Sequence, residues 1–316
     1  MNKHPFPYYN GAYWVDNSAL SKWLECPRSY QYECQEERVA TFSRAALNYG
    51  KAIHLALAAL SLSCGNEYTR ADLAKIDALL DVHFERNPQP LDDHRTAGLA
   101  KETMRRYVKL YEVEPWTILL ANGFPLIERL CHCQISSYEG IPVNFFGILD
   151  LGVTKSDGVW IVDRKTTFQI GKLFELTMRT IAQMKGYCWI YQKCFGSLPM
   201  GYIVDGIRSN APSEKALADQ KQLNKWWLEQ FARPPSYVNQ EQVDEWEKET
   251  CFHLHDIIKD NKRQHYPMNT QSCVGRYGAC NYVNICTLPQ AERLVALQSN
   301  NYMDNDWTTR TLQGKI

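Results

Sequence analysis

Phe145-Phe146-Gly147-Ile148-Leu149-Asp150-Leu151-Gly152-Val153, then Lys155-Ser156-Asp157-Gly158, then Val159-Trp160-Ile161-Val162-Asp163-Arg164-Lys165-Thr166-Thr167 is the stretch that decides the fold. Both flanking runs are apolar and β-rich, and each leads into an acid. The Asp-Gly dipeptide between them signals a tight turn, so the pair reads as a hairpin. Side chains alternate along a strand, which puts Asp163 and Lys165 on one face and Arg164 on the other. Folding the hairpin brings Asp150 beside that pair. Two carboxylates and one ammonium at one spot cost free energy unless a cation neutralises the acids, so a divalent metal is the natural occupant. The plain alternative is a surface salt bridge on a hairpin. The apolar run leading into each acid argues against it.

A helix is expected to follow, from about Leu173 to Phe195, and it carries Gln183-Met184-Lys185-Gly186-Tyr187. Gln183, Tyr187 and Tyr191 are four residues apart and share a helical face. With Gly147…Asp150, Asp163…Lys165 and Gln183…Tyr187 together, the chain resembles the PD-(D/E)XK nuclease superfamily, in its RecB-like exonuclease branch. The resemblance implies an α/β fold with a restriction-endonuclease-like αβββαβ core and a helical insertion. It also implies Asp150, Asp163, Lys165, Gln183 and Tyr187 as catalytic residues. Gln183 and Tyr187 would orient substrate phosphate or brace the lysine strand.

Two further residues enter through the same resemblance. Tyr49-Gly50-Lys51-Ala52-Ile53-His54 is similar to the family's G-x-x-x-H segment, whose histidine helps hold the metal; on its own, His54 reads as a core histidine. Glu128 sits on the strand before Asp150, where the family often has a glutamate; on its own it reads as a solvent-facing strand residue. The implied metal ligands are therefore His54, Glu128, Asp150, Asp163 and the carbonyl of Arg164, around Mg²⁺ or Mn²⁺. An imidazole ligand favours manganese tolerance. The family more often has an aromatic or small residue where Arg164 stands, but Arg164 should face away from the metal.

The rest of the chain supplies context. At 316 residues there is material for one large domain or two modest ones. Lys and Arg number 35 and Asp and Glu 35, so any nucleic-acid contact must come from a local basic surface. The N-terminus has no apolar signal region, and the longest apolar stretch, Ile53 to Leu62, is too short to span a bilayer. Eleven cysteines without a signal indicate a reducing, cytoplasmic compartment.

In chain order, Asp16-Asn17-Ser18 caps a helix over Ala19 to Leu24, interrupted at Pro27. Helices are expected at 43–60, 72–86 and 92–111. Strands are expected at 125–136, 141–153 and 200–207, with a charged amphipathic helix at 241–261 and a short one at 290–297 before a polar tail. Lys172, Arg179, Lys185 and Lys193 make the segment after Lys165 locally basic. Lys225-Trp226-Trp227-Leu228 is an aromatic helix fragment, read as core more readily than as a base-stacking surface. The domain reading is an N-terminal segment at 1–40, a nuclease core at 41–210 with a helical insertion at about 65–115, and a helical, cysteine-rich region at 211–316.

Cys273, Cys280 and Cys286 form a compact C-x6-C-x5-C group that needs a fourth ligand. Tetrahedral sulfur suits zinc or an iron–sulfur cluster alike. Leu24-Glu25-Cys26-Pro27-Arg28-Ser29-Tyr30 is similar to the family's C-P-R-x-Y segment. By resemblance, Cys26 closes a four-iron, four-sulfur cluster with the three C-terminal cysteines, stapling the two ends of the chain together in a subdomain of their own. Cys34 is the rival to Cys26. The gap between Cys273 and Cys280 is longer than is usual in relatives. Cys64, Cys131, Cys133, Cys188, Cys194 and Cys251 show no ligand spacing and read as core.

The function implied is metal-dependent hydrolysis of DNA phosphodiesters from ends, most readily of single strands, in phage or bacterial recombination, repair or CRISPR adaptation, with protein partners from those systems. Rival readings are a non-catalytic DNA-end-binding scaffold subunit and an endonuclease of the same fold.

Overall fold

In the computed structural model of the chain, the described residues are 4–41, 45–63, 68–275, 278–305 and 311–312. The main elements in chain order are β1 (Ala12–Val15), α1 (Asn17–Glu25), α2 (Ala45–Ser63), α3 (Arg70–Arg86), α4 (Ala97–Leu110), β2 (Ile127–Tyr138), β3 (Ile141–Lys155), β4 (Gly158–Thr167), α5 (Lys172–Thr180), α6 (Ala182–Phe195), β5 (Gly201–Arg208), α7 (Gln220–Leu228), α8 (Gln240–Arg263) and α9 (Gln290–Leu297). The chain divides into two compact units. One holds residues 1–42, 130–147 and 241–316, and the other 43–129 and 148–240.

The second unit is a mixed sheet with helices. β3 and β4 pair antiparallel from Leu151↔Val162 to Lys155↔Gly158. The Asp157 carboxylate in their turn accepts from the Trp160 indole at 2.9 Å. β4 and β5 run parallel from Trp160↔Gly201 to Thr167↔Arg208, so the chain between them must cross over, and it does so through α5 and α6. Two short strands, Phe231–Ala232 and Pro235–Tyr237, pair antiparallel with β5. This is the expected αβββαβ arrangement.

α2, α3 and α4 bury a shared core around Ile53, Leu57, Leu60, Leu80, Met104 and Tyr107. Trp227 is buried in it and Trp226 packs against it, so the aromatic fragment is core. Arg233 lies 2.5 Å from Glu114 and 3.1 Å from Asp205, and its guanidinium stacks 3.4 Å from the Tyr111 ring centroid. Two acids around one buried cation supply the pairing that burial of each charge requires.

The helix expected over Leu173 to Phe195 is two helices. The break is at Ile181, whose ψ of 119° is extended. Thr177 and Thr180 hydroxyls donate back to the carbonyls of Leu173 and Leu176, offering the backbone a competing partner. Tyr202 donates to the carbonyls of Met178 and Arg179, capping the first helix where it ends. α4 likewise starts later than expected, at Ala97, because Thr96 caps it while Asp93 holds Arg95 in a preceding turn.

In the first unit, β1 pairs in parallel with the first half of β3, Tyr13↔Val143 to Val15↔Phe145. Trp246 of α8 meets Phe145 edge-on, with ring centroids 5.0 Å apart. The early and late parts of the chain are knitted together here. Arg38–Ala40 pairs antiparallel with Tyr302–Asp304, Tyr282 stacks on Tyr302, and Asn269 donates to the Glu25 carbonyl. Sequence patterning does not reveal β1 or this ladder, because both strands are too short to show a period.

Candidate active site

Asp150, Asp163 and Lys165 owe their positions to the hairpin register. The ladder between β3 and β4 runs as far as Leu151↔Val162. One step beyond, the Asp150 carboxylate accepts the Arg164 backbone N–H at 2.8 Å, in place of a further ladder bond. Asp163 is 2% exposed and carries the Lys165 ammonium 2.9 Å from Oδ2. That ion pair is off hydrogen-bond geometry, so this buried oxygen makes no hydrogen bond among the described residues. Burial pushes the Asp163 carboxyl up from its ordinary value and the Asp150 charge pushes it further, while Lys165 pulls it down. Burial alone would lower the Lys165 ammonium, but the Asp163 and Asp150 charges outweigh it and the net shift is upward.

Lys165 makes a second contact, donating to Gln183 Oε1 at 2.9 Å, and Gln183 Nε2 donates to Tyr187 Oη at 2.8 Å. Asp163, Lys165, Gln183 and Tyr187 thus form one hydrogen-bonded and ion-paired line from sheet to α6. The helical spacing of Gln183 and Tyr187 makes the last link possible.

His54 reaches the site from α2, its Nδ1 3.5 Å from Asp150 Oδ2. Gly50, His54, Leu57 and Ser61 lie at i, i+4, i+7 and i+11, on one face of that helix. At Gly50 an added Cβ would stand 2.9 Å from Thr166 Oγ1, so the absence of a side chain allows α2 to lie against β4 there. At the other end Ser61 Oγ accepts from Arg164 Nη2 at 2.6 Å. His54 is clamped between these two contacts. Arg164 thus donates its amide to Asp150 and its guanidinium to Ser61. Ser61 is the functional neighbour that sequence reading missed; its signal was the i+7 spacing from His54.

Glu128 arrives through a second close approach. A Cβ at Gly152 would collide with Leu126 at 2.1 Å, and the Gly152 amide donates to the Leu126 carbonyl at 2.8 Å. With Leu126 seated on β3, Glu128 turns back at a positive φ of 47° and joins His54 and Asp150. One ligand atom from each of the three lies within 4.8 Å of the others. Two carboxylates and an imidazole fit a divalent metal ion, the imidazole suiting one softer than Mg²⁺. Asp163 stands beside this trio rather than inside it.

The cysteines are placed differently. Burial pushes the Cys280 and Cys286 thiols up, and nearby thiols add to it: Cys26 and Cys273 at the first, Cys26 and Cys280 at the second. The four are neighbours, with the Asn269 amide donating to Cys26 Sγ at 3.4 Å. They do not converge within 4.8 Å as the acid trio does. Zinc bonds of about 2.3 Å to four thiolates would require a tighter group than this. Neither zinc nor an iron–sulfur cluster is shown. Cys34 faces Glu33, Asp16, Lys22 and Glu37 instead, which leaves Cys26 as the fourth thiol of the group. Cys131 and Cys188 are buried, Cys133 and Cys251 partly so, and Cys194 is exposed, against the core reading. Cys64 lies outside the described residues.

None of the ten described cysteines is in a disulfide, and among the described residues no helix is long and apolar enough to cross a membrane. No curated protein matches the chain significantly. Among solved structures, the chain is similar to a "Putative exonuclease" from Eubacterium rectale, at 11% identity and a TM-score of 0.50, covering 88% of this chain and 89% of that one. At that identity the likeness concerns the fold alone. The family model for the PD-(D/E)XK nuclease superfamily matches residues 17–287. The chain belongs to the PD-(D/E)XK nuclease superfamily.

Proposed function

We propose that the protein is a divalent-metal-dependent DNA exonuclease of the RecB-like kind, degrading single-stranded ends. The observation that carries the metal-dependent reading is the trio His54, Glu128 and Asp150 within 4.8 Å, beside the Asp163–Lys165 pair. The exonuclease reading rests on the motif resemblance and on the name given to the Eubacterium rectale neighbour. Asp150, Glu128 and His54 would hold Mg²⁺ or Mn²⁺, with Asp163 and the Arg164 carbonyl as the further ligands the resemblance implies. An ion bound there would supply acidification of a water and charge compensation at the scissile phosphate.

Lys165 donates to the phosphate oxygen on which negative charge develops. Gln183 holds the ammonium in place, and Tyr187 fixes the Gln183 amide in the orientation that offers its oxygen to Lys165. The resemblance assigns Cys26, Cys273, Cys280 and Cys286 to a four-iron, four-sulfur cluster, with zinc as the alternative, and the mutual proximity of these thiols supports that reading. The count of eleven cysteines supports a reducing, cytoplasmic setting, and the motif resemblance carries the reading of a role in phage or bacterial recombination, repair or CRISPR adaptation.

The test is digestion of end-labelled single-stranded DNA with Mn²⁺. Lys165→Ala is expected to lower the rate by roughly 10²–10³-fold, and Asp163→Ala to abolish it, with the fold retained. Undiminished digestion by both variants rejects the site. Defined fragments from a circular plasmid would make the enzyme an endonuclease. Binding to ends without cleavage by the intact protein would make it a scaffold subunit.

A further inference from the structure

An amphipathic surface helix ordinarily turns its apolar stripe to the core. α5 does the reverse. It buries Phe174, whose ring occupies the space a Cβ on Gly206 would need. Leu173 is 64% exposed and Leu176 58%. Thr177 and Thr180 extend the same stripe at i+4 and i+7, and their hydroxyls are turned back onto helix carbonyls, so the stripe is apolar along its length. Phe168, in the loop before α5, is 51% exposed, its carbonyl held by the Arg208 guanidinium at 3.0 Å.

Three large apolar side chains in nine residues face solvent on a helix that is itself firmly fixed. Phe174 pins it at Gly206, the register partner of Lys165, and Tyr202 pins its last carbonyls. The charges around the stripe indicate what covers it. Lys172 and Arg179 are exposed at its two ends, and Lys185 is partly exposed at the start of α6. Glu175 is the one acid of α5. Phe168 is three residues past Lys165, at most roughly 11 Å of backbone away, close enough for one strand to reach both.

We propose that this face is the resting place of unpaired nucleobases, packed on Phe168, Leu173 and Leu176 while Lys172, Arg179 and Lys185 hold the adjoining phosphates. The proposal rests on the nuclease reading above and names the part of the substrate recognised: bases of a single strand, read through their apolar faces without regard to sequence. Such packing is tolerant of sequence because every base has an apolar face, and aliphatic side chains serve in the same way when they wedge against unstacked bases.

The test is fluorescence anisotropy of a labelled single-stranded oligonucleotide, in EDTA so that nothing is cut, with an abasic strand of equal length as comparison. Leu173→Ser/Leu176→Ser and Phe168→Ser are each expected to weaken binding of the normal strand about tenfold, and of the abasic strand by less than about twofold. Leu173→Met/Leu176→Met should bind like the parent, which separates packing from folding. Unchanged binding by the serine variants overturns the proposal, as does an equal loss on both strands. A dimer that sediments in the parent and is lost in the double serine variant, with DNA binding unchanged, assigns the face to a second copy and also overturns it. If the parent cuts DNA with Mn²⁺ while the serine variants bind normally, this inference alone fails. A parent that neither binds nor cuts removes the nuclease reading as well.

Discussion

Asp150 and Asp163 stand on adjacent strands of one hairpin; Cys26 and Cys273 come from opposite ends of the chain. Both groups gather metal-type ligands, yet they are held in opposite ways. At the acids, protein contacts hold the groups in place: Asp150 by the Arg164 amide, His54 by the contacts at Gly50 and Ser61, and Lys165 by Asp163 and Gln183. At the cysteines the thiols are pushed toward the neutral form, and the surrounding ladder and tyrosine stack do the joining. The difference teaches that the acids are brought together by protein contacts alone, whereas a metal at the proposed cysteine set would first have to displace protons from the thiols.

The largest expected effect tests the acid side. Asp150→Asn keeps an acceptor for the Arg164 amide and removes the charge. Mn²⁺-dependent cleavage should fall by about 10³-fold while the melting temperature moves by less than about 3 °C. A large loss of stability would show that the centre depends on its ion after all. Next comes the cysteine side. The anaerobically purified parent should be brown with about four irons per chain. Cys26→Ser should lose that iron and melt roughly 4–10 °C lower, without unfolding, because the ladder persists. Colourless parent protein with one zinc would replace the cluster.

A smaller effect is expected at the clamp. Ser61→Ala leaves Arg164 Nη2 buried without its partner, at a cost of about 1–3 kcal/mol in chemical unfolding. It should raise the Mn²⁺ concentration needed for half-maximal cleavage, with the rate recovered at saturation. An unchanged requirement would separate Ser61 from His54. A last prediction concerns Asp16 in the first unit. Burial pushes the Asp16 carboxyl up to about 6 from 3.8, against the pull of its helix-cap hydrogen bond. A raised carboxylate binds its proton more tightly when folded, so stability is lost as pH rises from about 4 to about 6. Asp16→Asn keeps the cap and should remove that slope, gaining on the order of 2 kcal/mol above pH 7. A parallel pH profile in parent and variant would contradict it.

The sheet core was legible because its signals are short-range. A period of two, an Asp-Gly turn and acids after apolar runs define β3, β4 and the convergence of Asp150, Asp163 and Lys165. Gln183 and Tyr187 could be placed by helical spacing alone. What escaped depends on contacts distant in sequence. The Ser61–Arg164 bond joins residues on separate elements, and the break at Ile181 depends on Tyr202, which belongs to the next strand. The pairing of Arg38–Ala40 with Tyr302–Asp304 involves strands of three residues, too short to carry a pattern. Glu128 was readable as a strand residue, but its turn toward Asp150 depends on Gly152 admitting Leu126.

The ladder between Arg38–Ala40 and Tyr302–Asp304 also sets a timetable for synthesis. At about 5–20 residues per second, the early strand waits roughly 10–50 s on the ribosome for its partner. Every residue of the second unit precedes residue 241, so the nuclease sheet can close while residue 302 is still untranslated. Until then Arg38–Ala40 is an open edge, and until residues 273–286 are made the Cys26 thiol lacks its C-terminal neighbours, which makes nascent and prematurely terminated chains the forms most exposed to mispairing and oxidation.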